Sequence, residues 1–146
     1  MGIDIVFQSE IPTAVRNIDE AIKARIDEAS NLVRNETILT LSQRGKGRIY
    51  ENYIYEDAAG NMKFGRTRNI PHQASAPGDP PAVDTGRLRQ SIRAEIAGNV
   101  GLVGTDLEYG KKLEFGTRKV ARRPWLSVAF DKSRDRVGQI FGRPWL

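Results

Sequence analysis

Cysteine is absent from the 146-residue chain, which removes disulfides, thiolate zinc sites and cysteine nucleophiles together. Histidine is almost as scarce. His72 stands alone, with no second histidine and no clustered carboxylates beside it, so the spacing suggests neither a metal site nor a histidine-based triad. No apolar run approaches the roughly 20 residues that a membrane span needs, and no membrane partner is expected. The opening MGIDIVFQSE has no basic stretch leading into an apolar one, so it does not read as a secretory signal. Val6 occupies the position where a myristoylation signal carries serine or threonine. These absences point to an intracellular or intra-virion protein.

What the chain does have is charge, unevenly placed. Hydrophobic residues make up 39% and charged ones 28%, which suits one soluble globular domain with a modest core. The formal net charge is +5, yet residues 1–43 hold seven acidic side chains against four basic ones. That part carries −3, so the remainder carries +8. Such asymmetry suits a polyanionic partner, a solvated basic face, or subunits that dock acidic surface on basic surface.

Gly2–Ser9 alternates Ile3, Ile5 and Phe7 with polar positions and reads as a first, edge strand. Pro12 then sits where a helix start tolerates it. Val15, Ile18, Ile22, Ile26, Ala29 and Val33 recur at three- and four-residue steps, which predicts a long amphipathic helix over roughly 13–41. Its end should be weak, because Thr37, Ile38 and Thr40 are indifferent helix formers. Arg48–Tyr55 and Met62–Arg68 flank an Asp57–Asn61 turn and predict a β-hairpin projecting from the body. Its aromatics either stack on bases or, more commonly, pair across the strands. Asn69–Val83 is rich in proline, alanine and glycine and predicts an extended, polyproline-like arm.

Asp84 or Thr85 should cap a short helix containing Leu88, and Ser91–Ala97 and Val100–Gly104 should pair across Gly98-Asn99. Glycines 98, 101 and 104 lack the Lys-Ser/Thr and following helix of a phosphate loop, so turn and bulge roles account for them better. Asp106–Phe115 predicts another short helix with Leu107, Tyr109 or Gly110, Leu113 and Phe115 facing the core. Arg118, Lys119, Arg122 and Arg123 share the next loop. Pro124 then opens a last helix buried through Trp125, Leu126, Ala129, Phe130, Val137, Ile140 and Phe141, with Gly138 weakening its middle. Arg123-Pro124-Trp125-Leu126 recurs as Arg143-Pro144-Trp145-Leu146, a repeat too short for a solenoid. It is either coincidence or a tail that docks Trp145 into a neighbour.

The segments APGDPPAVDTGRLRQSI, VGTDLEYGKKLEFGTRK and ARRPWLSVAF together resemble the minor-tail and head–tail joining family of long-tailed bacteriophages, the tail-completion proteins of the virion neck. The resemblance covers about Ala74–Phe130, and its specificity lies in the combination. It implies an α+β fold: an antiparallel sheet of about four to five strands packed against the long N-terminal helix and a C-terminal helix. Residues 1–146 would form a single head–tail joining domain, with 44–83 as projecting hairpin and arm. It further implies a homo-oligomeric ring, a hexamer by preference, among neighbouring neck and tail proteins, with DNA passing through the lumen without sequence recognition. The protein would reside in the virion neck or tail, and in host cytoplasm during assembly. No cofactor is implied.

On this reading Arg118, Lys119, Arg122 and Arg123 are the residues facing DNA or an acidic partner. Tyr53, Tyr55, Phe64, Pro77, Pro80, Pro81 and Trp145 are the subunit-interface candidates. An acidic protein partner suits the basic loop better than DNA, since each phosphate contact would add salt-dependent affinity and slow a passing duplex. A basic nucleic-acid-binding module is the alternative. Enzyme readings are weakest, because acidic residues are scattered over helix faces rather than paired.

Overall fold

Ile26, Ala29, Val33 and Thr37 fall on one stripe of a helix, and all four are buried. The computed structural model describes residues 11–56, 59 and 62–144, with side chains at 13–49, 59 and 71–144. The first helix, α1 (Ile11–Thr40), starts two residues before the expected position and ends one residue short of it. Its second half holds despite poor propensity. Thr37 and Thr40 are fully buried, and the Thr37 hydroxyl donates to the Val33 carbonyl at 2.8 Å. Tertiary packing therefore overrides local preference at this end.

The last helix, α4 (Leu126–Gly142), packs antiparallel along α1. Arg136 meets Glu36 at 2.6 Å, and Arg143 grips both oxygens of Glu28 at 2.8 and 2.9 Å. Arg25 donates to the carbonyls of Phe141, Arg143 and Pro144, placing positive charge on the free carbonyls at the end of α4. Since α4 ends opposite this part of α1, the first turns of α1 run past it, and residues 13–20 are all exposed.

Strands β1 (Ile49–Glu56) and β2 (Met62–Gln73) form one antiparallel ribbon. Among the described residues they pack on each other and make no comparable contact with any helix. The ribbon runs longer than expected: Asn69–Gln73 belongs to β2 rather than to the arm. Register slips between Tyr50 and Asn52, opposite the stretch that contains Pro71, whose missing N–H cannot serve a regular ladder.

After the four-residue helix α2 (Arg87–Gln90), where the Thr85 hydroxyl accepts from the Arg87 amide at 3.4 Å, come β3 (Arg93–Ala97) and β4 (Val100–Gly104). Their two-residue turn has a positive φ at Gly98 (61°) and none at Asn99, the pattern of a type II′ hairpin. This hairpin lies on α1 so closely that a Cβ at Gly101 would stand 2.0 Å from the Ser30 hydroxyl. Close helix contact, not phosphate binding, explains that glycine. Helix α3 (Glu108–Phe115) follows. Leu41, Leu88, Ile92 and Trp125 form the core cluster where α1, α2, α3 and the start of α4 converge.

The architecture is mixed helix and antiparallel strand, with four helices among the described residues. The strands do not merge into one sheet of four to five. They form two separate two-stranded sheets, because one ribbon stands off the body while the other is committed to α1. The expected first strand, Gly2–Ser9, and the Asp57–Asn61 turn (save Ala59) lie outside the described residues.

The Thr40 hydroxyl is buried without a hydrogen-bond partner among the described residues. Thr40→Val keeps the shape and removes the stranded polar atom, so it should raise unfolding free energy by about 1 kcal/mol. Chemical denaturation checks this, and a loss of stability would show that Thr40 is satisfied by bound water.

Candidate interaction surface

Glu114 organises the surface around the last helix. It is only 6% exposed, an unusual state for a carboxylate. One oxygen accepts from the Trp125 and Leu126 amides at 2.7 and 2.9 Å, and the other from the Ser127 amide and hydroxyl at 3.1 and 2.6 Å. These are the free amides of the α4 N-terminus, so α3 caps α4 with a side chain about a dozen residues upstream. Burial pushes the Glu114 carboxyl up, but the Ser127 hydroxyl and the three amides outweigh it and hold the group below its ordinary value. Trp125, 2% exposed, completes the joint by donating its indole N–H to the Gly110 carbonyl at 2.9 Å. Pro124 precedes the helix rather than opening it, because Trp125 and not Pro124 is the flanking residue there.

The joint fixes the basic loop, and it divides the four expected cations. Arg122 Nε donates to the Glu114 carbonyl at 3.1 Å, and Arg123 Nη1 to the buried Ser75 hydroxyl at 3.0 Å. The Gly78 amide donates to the Arg122 carbonyl at 2.9 Å, and the Arg123 amide to the Leu113 carbonyl at 2.8 Å. Arg122 and Arg123 thus clasp the proline-rich arm to the body. Arg118 and Lys119 remain exposed, presented by a turn in which the Thr117 hydroxyl accepts from the Lys119 and Val120 amides. Along the arm Pro77 is exposed while Pro80 and Pro81 are half-buried. The side chains of Tyr53, Tyr55 and Phe64, and all of Trp145, lie outside the described residues.

Beside this joint lies an apolar groove of about 660 Å³, walled by α1, β4, the end of α3 and α4. Ile26 and Val33 form its floor, and Val100, Phe115 and Phe130 stand along its open side at 55%, 72% and 45% exposure. This corrects the expected core faces. Phe115 and Phe130 point into the groove mouth rather than into the core, and Tyr109 and Phe141 are 40% and 39% exposed. Of the expected alternatives Tyr109 or Gly110, Gly110 is the buried one, while Glu114 rather than Phe115 takes the other buried position on α3. Burial of a glutamate next to an exposed phenylalanine inverts the usual rule, and only the stranded amides of α4 explain it.

His72 Nδ1 lies 3.9 Å from an Asp84 oxygen, too far for a hydrogen bond. Among the described residues no three histidine, aspartate or glutamate side chains gather as metal ligands, and no helix is long and apolar enough to cross a membrane. None of the known protein families, curated proteins or solved structures compared with the chain matches it.

Glu114→Gln keeps the shape but offers one accepting oxygen where two are used, and should cost about 2 kcal/mol at pH 7. Because the folded carboxyl titrates below its ordinary value, its contribution is full at neutral pH and fades as pH falls through the lowered folded value. Wild type and variant should therefore converge in stability once pH falls below that lowered folded value. Denaturation curves across pH 3–7 check this, and a gap independent of pH would remove the charge from the explanation.

Proposed function

We propose that the chain is a structural virion protein of a tailed phage or prophage, part of a ring in the neck that joins head and tail or completes the tail. The motif combination across Ala74–Phe130 supports this reading. The structural observation that carries it is the open apolar groove, with Val100, Phe115 and Phe130 along it all more than 40% exposed. Large apolar side chains gathered on one face mark a surface made to be covered. A ring subunit has such faces by necessity, since each copy contacts a copy on either side.

On this reading the projecting β1–β2 ribbon reaches a neighbour, and the sheet of about four to five strands forms between subunits from the open edges of the two ribbons. Arg118 and Lys119 face an acidic neighbouring ring. Arg122 and Arg123 serve the interface indirectly, by holding the arm with Pro77, Pro80 and Pro81 in place. DNA passes without sequence recognition, and the chain performs no catalysis.

The alternative, a basic nucleic-acid-binding module, draws on Arg118, Lys119 and the +8 carried beyond residue 43. It requires duplex binding that weakens steeply with salt.

Two measurements separate the readings. Gold labelling of a tagged chain in induced particles should place it at the head–tail junction, and particles without label would refute the virion assignment. Duplex binding by the wild-type chain at low salt should be weak and barely altered in Arg118→Glu/Lys119→Glu. Tight binding, abolished by that variant, would favour the alternative.

A further inference from the structure

We infer that the apolar groove between α1, β4 and α4 receives the exposed N-terminal half of α1 from a second copy of this chain. The inference rests on the reading of the chain as a ring subunit and names the contact that closes the ring. Val15 and Ile18 lie on the same stripe as Ile26, Ala29 and Val33, yet they are 55% and 40% exposed while the later residues are buried. The helix stripe outlasts its partner. Arg25 and Glu28 already hold the end of α4, so nothing on α4 extends far enough to cover Val15 and Ile18.

Among the described residues the chain therefore carries an apolar helix face without a groove and an apolar groove without an occupant. They cannot satisfy each other within one molecule. The groove floor begins at Ile26, and Val15 is about 16 Å away along the same rigid axis. Pairing then occurs between copies, and when each helix enters the groove of the next copy without reciprocal exchange the contact is heterologous, propagating until the rotation closes a ring. An amphipathic helix laid in an apolar groove is also a common recognition mode, anchored at i, i+3 and i+7, the spacing of Val15, Ile18 and Ile22.

The test uses full-length wild type, Val15→Glu/Ile18→Glu, which loses the helix face, and Phe130→Glu, which loses the groove. Val100→Glu serves as a second groove variant. All four sites are at least 40% exposed, so folding should survive, and circular dichroism with thermal melts verifies this. Light scattering across concentration should show wild type associating, and each variant alone associating at least tenfold more weakly. An equimolar mixture of the helix variant with either groove variant should form a species of two chains and nothing larger, because one intact helix face meets one intact groove.

Three results overturn the inference: a wild-type chain that stays monomeric, variants that associate like wild type, or mixed variants that fail to pair. Variants associating like wild type leave the ring reading standing with a different interface. Paired variants together with unlabelled particles condemn the virion assignment and leave the contact standing.

Discussion

A buried carboxylate that serves four donors at the start of α4 is the interaction on which this structure turns. Glu114 ties α3 to α4, and through the adjacent residues ties both to the basic loop and the proline-rich arm. The arrangement resolves two electrostatic problems together. The N-terminal amides of α4 lack intrahelical partners, and a buried glutamate lacks water. Each supplies what the other needs. Trp125 then closes the joint beneath them, so the short segment from Gly110 to Ser127 acts as one rigid corner.

That corner leaves the adjacent apolar surface uncovered. With Glu114 turned inward, its neighbour Phe115 is forced outward, and Phe130 one turn into α4 joins it at the groove mouth. At the other end of the molecule α1 runs beyond α4, whose terminus Arg25 and Glu28 hold in place. Both features follow from lengths and hydrogen bonds rather than from loose packing. They give the chain two unlike apolar faces displaced along one side of α1, an arrangement suited to repeated head-to-tail contact.

The parts of this fold legible in the sequence are those governed by local period. The stripe of Ile26, Ala29 and Val33 gave α1, and Gly98-Asn99 between alternating residues gave the β3–β4 hairpin. Sheet assembly was not legible, since nothing local tells whether two hairpins share an edge. Nor was the division of labour in the basic loop. Arg118 and Arg122 are alike in sequence and both exposed, and only the position of the Glu114 carbonyl ties the Arg122 guanidinium to α3. Glu114 is not legible either, because a carboxylate between Leu113 and Phe115 looks like the polar face of a helix. Its signal was the approaching helix start at Pro124-Trp125, which needs an acceptor and has no serine, threonine or aspartate at the flanking position to supply one.

Closure is the property that most directly separates a ring subunit from a chain that merely self-associates. Electron microscopy of the purified wild-type protein, at concentrations where it associates, reads closure without reference to any partner. The account predicts rings of a single diameter with an open centre. Open filaments or particles of one-chain size would contradict it.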